Sequence, residues 1–399
     1  MNKSVMFVDQ SAHVLSAMKR IFRKMRDKRE IRFATSPDEA LRQLADHPAD
    51  VLITAMSFSG HDGTELLEKV REQYPQTVRI VLSGSVSSET VLHAADLAHQ
   101  YIAKPFEEED LLSAVDRAFL VKQLLDDAAL QKVASQIKGL PTLPAIYVEL
   151  EALLNTDDAS MDKVGQLVAK DPAISAKLLQ LANSSFFSRP QRILDPAKAA
   201  SLLGLDLVRS IVLTVAIISR FSKWIKVFSV ESLWEHAMMT AAMAKAIAKA
   251  EKVDRETADA AFSAGLLHDI GKLLIVSYLP DKYGAIAERM KSDHVPMAVA
   301  ENDIIGTTHA AVGAYLLGLW GLPAPIVEAV AFHHMPEKKA GGLTALTIVH
   351  AANAFANAGK LLEDDQLDVE ELDSAYFERI GLVGRLGQWR KTCLALLEP

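Results

Sequence analysis

The stretch His268-Asp269-Ile270-Gly271-Lys272 ends an apolar helical pattern in the larger, C-terminal part of the chain. Imidazole and carboxylate groups are ligands for divalent transition metals, and a lysine beside them suits a phosphate. Neighbouring residues of a helix point about 100° apart, so His268 and Asp269 can serve two adjacent sites but cannot face one direction. The stretch therefore indicates a metal site that needs further ligands from other helices.

Further histidines stand on the helical patterns on both sides of this stretch: His236 precedes it, and His309, His333 and His334 follow it. A hydrolytic metal site needs ligands that converge from several helices and leave room for water. His236 leads a run of small residues, 237–250, which allows a partner helix to approach closely. We expect these histidines to converge with the central pair on iron, manganese or zinc.

Helical patterns follow one another from residue 140 onward, and each carries an apolar stripe. Together these stripes can bury one large core, so we predict an all-α domain over residues 140–355. The predicted helices are 146–154, 161–169, 173–182, 197–203, 207–221, 233–251, 256–274, 283–291, 299–317, 325–333 and 344–357. Residues 356–399 begin with an acidic run, so we expect a solvated connection followed by a C-terminal docking helix.

The N-terminal part alternates between short β-branched runs and amphipathic helical patterns. This alternation is typical of βα units that form a parallel sheet covered by helices on both faces. We predict an α/β, doubly wound, five-stranded parallel sheet within residues 1–122, with strands at 5–8, 31–34, 51–54, 79–82 and 101–103. The working site of such folds lies at the carboxyl ends of the strands, where Asp9, Ala55, Ser83 and Lys104 stand.

Residues 107–139 connect the two predicted domains. Neither proline nor glycine occurs between Glu107 and Lys138, and Gly139 and Pro141 end the helical pattern. We therefore expect the last helix of the first domain to continue as a helical connector. Its apolar residues do not sustain a heptad repeat, so a coiled-coil homodimer stays an open alternative.

The composition excludes several classes of protein. Among 399 residues the net charge is −8, which disfavours nucleic-acid binding. The single cysteine, Cys393, excludes an intrachain disulfide and a thiolate zinc site. The most apolar long window, 207–219, contains Arg209 and is shorter than the ~20 residues that cross a bilayer. Since the N-terminus has no signal-peptide pattern, we expect a cytoplasmic protein without membrane contact.

Several phrases of the first domain resemble the receiver domain of two-component response regulators, and the resemblance covers roughly the first 120 residues. They are Phe7-Val8-Asp9, Asp50-Val-Leu-Ile-Thr-Ala55-Met56, Gly60-His-Asp62-Gly63, Ile80-Val-Leu-Ser83-Gly84 and Tyr101-Ile-Ala-Lys104-Pro105-Phe106. In that family a paired acidic motif ends the first strand and holds Mg²⁺ together with a phosphoacceptor aspartate. The resemblance thus implies an aspartyl-phosphate switch, which requires those acids.

This chain lacks the acids that the switch requires. The paired motif reads Asp9-Gln10, and the phosphoacceptor position is Ala55. A methyl group can neither attack a phosphoryl donor nor bind Mg²⁺, so we expect no Mg²⁺-dependent phosphorylation. Ser83, Tyr101 and Lys104 match the switch hydroxyl, the switch aromatic and the phosphate-binding lysine of the family. We interpret the domain as a pseudo-receiver whose residues hold the fold, with Lys104 paired to Asp9. Sensing of another ligand is the alternative.

The helical part carries a second resemblance, to the HDOD domain, an output module related to the HD metal-dependent phosphohydrolases. The phrases are Leu140-Pro-Thr-Leu-Pro144, Asp171-Pro-Ala-Ile-Ser-Ala-Lys-Leu-Leu-Gln-Leu-Ala-Asn183-Ser184, Leu202-Leu-Gly-Leu-Asp-Leu-Val-Arg209 and the histidine series. By this resemblance His236 corresponds to the first histidine of HD enzymes, and His268-Asp269 to their signature pair. The same comparison relates His309, His333 and His334 to the additional histidines of the HD-GYP relatives, and Lys272 to a lysine that contacts substrate phosphate.

The helical part also departs from the HD pattern. Where the closing aspartate is expected, the chain reads Asn353, whose amide oxygen is a neutral and weaker ligand. After His334 the chain lacks the Gly-Tyr-Pro segment that HD-GYP enzymes use around cyclic di-GMP. The cluster is therefore either a working metal site or a remnant of one, and catalysis is the less favoured outcome.

These observations lead to two hypotheses. The first is a non-catalytic signalling regulator, in which a pseudo-receiver is coupled to an HDOD interaction module. Its partners would be signalling proteins: a kinase, a cyclic di-GMP enzyme or a transcription-related protein. The second is a metal-dependent phosphohydrolase, a phosphodiesterase for cyclic dinucleotides among the options, with Lys272 on the phosphate.

Overall fold

The computed structural model describes residues 3–25, 29–58, 61–83, 97–104, 106–124, 128–136, 144–156, 159–183, 193–222, 229–339, 341–359, 369 and 372–397. The chain divides into two compact units. The first consists of Met1–Asp126, Lys138–Asp157 and Leu316–Gly321, and the second of Asp127–Ile137, Asp158–Tyr315 and Leu322–Pro399. Residues 138–157 and 316–321 thus group with the first unit, although the sequence assigned nearly all of them to the helical domain.

The first unit is built on a five-stranded parallel sheet, which confirms the predicted fold class. The strand order is β2-β1-β3-β6-β7, and a separate two-stranded ladder joins β4 to β5. The strands are β1 Lys3–Val8, β2 Arg29–Ala34, β3 Val51–Ala55, β4 Ser57–Phe58, β5 His61–Asp62, β6 Val78–Ser83 and β7 Gln100–Ala103. In the parallel register Phe7 lies opposite both Phe33 and Ile53.

The central strand β3 is buried along its whole length because helices cover both faces of the sheet. The helices of this unit are α1 Ala12–Ile21, α2 Pro37–Asp46, α3 Gly63–Gln73, α4 Glu108–Leu124 and α6 Ala145–Leu154. Serine side chains begin two of them, since Ser11 accepts from the backbone N–H of Val14 and Ser36 from that of Glu39. This arrangement places the ends of β1, β3, β6 and β7 at one edge of the sheet.

The predicted connector contains two described helices, α4 and α5 Ala128–Gln136. Residues 125–127 and 137–139 lie outside the described residues, so the continuity of the connector stays a prediction. Helix α5 belongs to the second unit.

The second unit is all-helical, which confirms the prediction for the C-terminal part. After α5 its helices are α7 Met161–Ala169, α8 Pro172–Ala182, α9 Pro196–Leu203, α10 Leu205–Ser222, α11 Val230–Glu251, α12 Arg255–Leu267, α13 Ile270–Tyr278, α14 Pro280–Asp293, α15 Met297–Ile305, α16 His309–Leu319, α17 Ala324–Phe332, α18 Ala345–Ala358, α19 Ser374–Arg379 and α20 Val383–Leu394. The last residues of α16 group with the first unit.

Two predicted helices were wrong in their length. Residues 256–274 form α12 and α13, which are separated by His268 and Asp269. Residues 299–317 form α15 and α16, and Gly306 ends α15 with a φ of +75°, a backbone conformation that favours glycine. An apolar period alone does not reveal such breaks, because the apolar side chains continue on the same face. Both breaks place predicted metal ligands at helix ends: His268 and Asp269 at the first break, and His309 at the second.

Two glycines allow helices of the second unit to approach backbone to backbone. A Cβ atom at Gly265 would lie 2.7 Å from the Cα of Ala241, so α12 packs tightly on α11. A Cβ atom at Gly271 would overlap the carbonyl oxygen of His309, so the start of α13 packs on the start of α16. The glycine of the opening stretch therefore brings its Asp269 close to His309.

The C-terminal segment completes the core of the second unit. The sequence predicted one docking helix, but the structure has two, α19 and α20, because Gly381 adopts a φ of +72° after α19. Most of the acidic run lies outside the described residues. Phe377 and Trp389 are fully buried, and Trp389 Nε1 donates a hydrogen bond of 2.6 Å to Glu251 Oε1. These helices are therefore an integral part of the unit.

Within the described ranges, one apolar helical stretch, Arg255–Tyr278, is long enough to cross a membrane. Within its apolar window 89% of the residues are buried inside the protein. The stretch is therefore a core element, composed of α12 and α13.

Candidate metal centre

Six predicted ligands meet inside the second unit as two groups of three. The first group is His236, His268 and Asp269, and the second is His309, His333 and His334. Within each group the possible ligand atoms lie within 4.8 Å of one another. Helix α11 supplies the first histidine, the α12–α13 break the central pair, and the start of α16 and the end of α17 the others.

The ring of His268 is fully buried, and its backbone contact fixes its tautomer. Its Nδ1 lies 2.7 Å from the carbonyl oxygen of Gly265, so Nδ1 carries the proton and donates. Nε2 is then an acceptor, and it lies 3.2 Å from Nε2 of His236. His268 therefore presents a lone pair to the interior of the cluster.

The ring of His236 is held between His268 and the residue that replaces the closing acid. Its Nε2 lies 2.9 Å from Oδ1 of Asn353. Burial, followed by the neighbouring His268 ring, lowers the pKa of His236 to about 4, so the ring of His236 is neutral at pH 7. Because the amide oxygen and Nε2 of His268 are both acceptors, the Nε2 proton of His236 satisfies this side of the cluster.

The two oxygens of Asp269 face different groups. The prediction that His268 and Asp269 cannot face one direction was wrong, because both lie at the α12–α13 break and their ligand atoms belong to one group. Oδ2 accepts a 2.6 Å hydrogen bond from Nζ of Lys272, and Oδ1 lies 3.2 Å from Nε2 of His309. Burial raises the pKa of Asp269, but the neighbouring His268 ring and the cation of Lys272 outweigh it and hold that pKa well below its usual value. Within the described residues the 3.2 Å contact with His309 lacks hydrogen-bond geometry, so Oδ1 has no well-formed hydrogen bond.

His309 reveals a site residue that the sequence reasoning missed. Its backbone N–H and its Nδ1 both donate to Oε2 of Glu301, at 2.8 and 2.7 Å. Burial alone would lower the pKa of His309, but the charge of Glu301 and the contacts with both carboxylates raise it to about 9. Glu301 is fully buried on α15. The only sequence feature that could have indicated Glu301 was its position eight residues before His309, on a largely apolar helix.

His333 and His334 complete the second group at the end of α17. Nδ1 of His333 donates to the carbonyl oxygen of Val330 at 2.8 Å, so its Nε2 is an acceptor. That Nε2 is buried and has no hydrogen-bond partner among the described side chains and backbone groups. Nε2 of His334 lies 3.2 Å from Nε2 of His309. Burial, reinforced by neighbouring histidines, holds the pKa of His333 and of His334 well below its usual value.

The donor atoms of the cluster fit a divalent transition metal. Metal–nitrogen bonds of ~2.0–2.1 Å put neighbouring ligand atoms about 3.0–3.4 Å apart. The approaches of His309 Nε2 to His334 Nε2 and to Asp269 Oδ1 are both 3.2 Å. His333 Nε2 is 4.0 Å from Asp269 Oδ1, and both atoms lack a hydrogen-bond partner within the described parts of the chain. Imidazole and carboxylate donors suit iron, manganese or zinc.

The receiver-like pocket in the first unit has a different content. Nζ of Lys104 lies 3.1 Å from Oδ2 of Asp9, and Oδ1 of Asp9 accepts from the backbone N–H of Ser11. Ala55 ends β3 and is buried. Ser83 and Tyr101 lie on β6 and β7, and their side chains are outside the described set.

Comparisons with known proteins match both units. Residues 5–116 match the family model of the response regulator receiver domain, and residues 140–336 match that of the HDOD domain. A crystal structure of an HDOD domain protein from Geobacter sulfurreducens is similar with a TM-score of 0.52 and 26% identity, over 68% of this chain and 92% of that one.

Two curated relatives are similar over parts of the chain. An uncharacterized protein of Treponema pallidum is 28% identical over 51% of this chain and 39% of its own length. The hydrogenase transcriptional regulatory protein HoxA of Cupriavidus necator is 31% identical over 31% of this chain and 26% of its own length. The chain thus spans less than half the length of these relatives.

Proposed function

For a chain that contains a response regulator receiver domain followed by an HDOD domain, we propose the function of a signalling regulator whose receiver does not accept a phosphoryl group. In this proposal the HDOD domain is the output module, and it holds a divalent transition metal as part of its interaction surface or core. The protein acts in the cytoplasm on other signalling proteins.

The observation that carries the proposal is the pairing of Lys104 with Asp9 beside Ala55. An aspartyl-phosphate needs a carboxylate at the end of β3, and Ala55 offers only a methyl group. The ammonium group of Lys104 lies 3.1 Å from Oδ2 of Asp9, so its charge is already compensated within the pocket. These contacts support a receiver that keeps its fold and reads a docking event in place of phosphorylation.

The relatives support a signalling role of a general kind. HoxA carries the name of a transcriptional regulator, and a further relative is the DNA-binding transcriptional regulator NtrC of Azospirillum brasilense. Both are similar to this chain over about a third of its length. We propose a protein partner from the same circuitry, namely a kinase, a cyclic di-GMP enzyme or a transcription-related protein, and no nucleic acid.

Phosphorylation of the full chain tests this proposal. With radiolabelled acetyl phosphate and Mg²⁺ we expect no acid-labile label on the protein. The matched control is Ala55→Asp, which restores a carboxylate at the end of β3 and is expected to take up label. Acid-labile label on the unaltered chain, on any residue of the first domain, would contradict the proposal.

The cluster also favours a second candidate function, a metal-dependent phosphohydrolase. The specific observation is that buried Asp269 Oδ1 and His333 Nε2 face a third ligand atom, Nε2 of His309, close to the cation of Lys272. A bound metal supplies a water whose pKa falls toward ~7, which is a nucleophile at neutral pH. Lys272 would neutralise a substrate phosphate, but its Nζ already lies 2.6 Å from Asp269.

Turnover decides between the two candidates. The full chain, loaded with Mn²⁺, Fe²⁺ or Zn²⁺, would be incubated with cyclic dinucleotides and with a chromogenic phosphodiester, beside His334→Ala as control. The regulatory proposal predicts no turnover above that of the control. Turnover that depends on His334 would establish the hydrolase and reject a purely regulatory output domain.

A further inference from the structure

The two groups of the cluster differ in how far their ligand atoms are already satisfied. In the first group Nε2 of His236 contacts both Asn353 Oδ1 at 2.9 Å and His268 Nε2 at 3.2 Å. A single proton on His236 thus serves two acceptors. Nε2 of both histidines therefore has a polar partner within the protein.

Lys272 completes the first group with a positive charge. Its Nζ lies 2.6 Å from Oδ2 of Asp269, and the same oxygen lies 3.4 Å from Nε2 of His268. The lysine side chain is 19% exposed, so its ammonium group is largely withdrawn from water. A cation in that position compensates the carboxylate oxygen that would otherwise bind a metal.

The second group, taken together with Oδ1 of Asp269, is less well satisfied. Nε2 of His333 and Oδ1 of Asp269 are buried and lack hydrogen-bond partners among the described residues. Nε2 of His309 and Nε2 of His334 face each other at 3.2 Å. A buried acceptor without a donor is destabilising, and a cation between these four atoms would remove that cost.

We propose that this chain binds one divalent transition metal ion, on His309, His333, His334 and Oδ1 of Asp269, and that Lys272 replaces a second ion in the first group. The proposal deepens the proposed function, because it rests on an output module that holds metal. It assigns the metal to the second group and leaves His236 and His268 without one.

Glu301 is the positioning residue of this single site. Its Oε2 receives both the backbone N–H and the Nδ1 proton of His309, so Nε2 of that ring is directed at Asp269 and His334. A carboxylate behind a ligating histidine fixes the ring and increases its basicity. In the described structure the first group has no carboxylate in an equivalent position, since the Nδ1 proton of His268 goes to a backbone carbonyl.

Asn353 explains why the first group stays without a metal. A carboxylate at this position would add a negative charge next to His236, which a metal ion on the first group would compensate. The neutral amide instead accepts the Nε2 proton of His236, at 2.9 Å. The negative charge of Asp269 is the only carboxylate charge in contact with the first group within the described residues, and Lys272 compensates it.

Metal counting on the full chain tests the proposal. Chelator-stripped protein would be titrated with Co²⁺, and bound cobalt would be measured by mass spectrometry of the metal and by its visible absorption. We expect one cobalt per chain. The matched pair is His334→Gln, expected to bind none, and His236→Gln, expected to keep one with an unchanged spectrum. Circular dichroism establishes that both variants fold, and His309→Gln replaces His334→Gln if the latter does not.

A gain of function provides the second arm. The double variant Lys272→Met, Asn353→Asp removes the internal cation and adds the acid, and it should bind two cobalt ions per chain. Two ions on the unaltered chain, or loss in His236→Gln with retention in His334→Gln, would overturn the single-site proposal and leave the signalling function intact. No cobalt on the unaltered chain would reject the metal in the proposed output module as well.

Discussion

A single oxygen of Glu301 accepts two hydrogen bonds from His309, one from its backbone N–H at 2.8 Å and one from Nδ1 at 2.7 Å. The double contact fixes both the start of α16 and the orientation of the ring that begins it. It also holds a carboxylate charge against a buried imidazole, which raises the pKa of His309 to about 9, although burial alone would lower it. Positive charge on this ring is therefore favoured.

Glu301→Gln should weaken metal binding while the protein stays folded. The amide still occupies the space but removes the charge that supports Nε2 of His309, and such partners contribute about 10–100-fold to metal affinity. Competition between the protein and a coloured chelator for Co²⁺ measures the change. Glu288→Gln, on an exposed position of α14, is the control and should bind as the unaltered chain does. Equal affinity in both variants would refute the positioning role of Glu301.

Gly271→Ala should destabilise the second unit and disturb the cluster. The added methyl group would overlap the carbonyl oxygen of His309, so α13 and α16 must separate. Overpacking of this kind costs about 1–3 kcal/mol in the free energy of unfolding. The matched control is Gly284→Ala, where a Cβ atom meets nothing within 4 Å. Because alanine is about 1 kcal/mol better than glycine inside a helix, the control should be more stable than the unaltered chain. Urea denaturation measures both.

Glu251→Ala should detach the C-terminal helices from α11. Arg385 and Trp389 both donate to this carboxylate, with Nη2 of Arg385 2.7 Å from Oε2. The change leaves the indole N–H of a buried tryptophan without its acceptor, a loss of about 1–3 kcal/mol. Tryptophan fluorescence during denaturation reports it. Glu378→Ala, an exposed site on α19, should change the free energy of unfolding by less than ~0.5 kcal/mol.

The contribution of Glu251 should also depend on pH. The hydrogen bond from Arg385 lowers the pKa of Glu251, against an opposing effect of burial and with support from Trp389. A lowered folded-state pKa gives stability that is present above the unfolded-state value of ~4.3 and is lost as the pH falls through the folded-state pKa. The difference in free energy of unfolding between the unaltered chain and Glu251→Gln should therefore shrink as the pH falls from about 6 to about 3. A constant difference would contradict the assigned charge state.

Local pattern in the sequence was sufficient for most elements of both units, although not for the breaks inside three predicted helices. The apolar pattern predicted the strands near Val5–Val8 and Val51–Ala55, because a buried parallel strand is a continuous β-branched run. It also predicted α3 at its observed bounds, Gly63–Gln73. The order of the histidines was likewise visible in the sequence, and the family resemblances predicted that Ala55 and Asn353 stand where acids are expected. These features depend on residues that are near one another in the chain or on identity at one position.

Tertiary structure alone decided which side chains of the cluster contact one another. Oδ1 of Asn353 meets Nε2 of His236 across 117 residues, and the oxygens of Asp269 separate toward Lys272 and His309 because the α12–α13 break orients them. Glu301 looks like any helical glutamate until packing buries it behind His309. The apolar pattern of a single helix does not predict which distant donor contacts which acceptor. Those contacts depend on how closely the helices approach at Gly265 and Gly271. The sequence by itself determined which chemical groups are available, and only the packing of the helices decided which of them converge in one cluster.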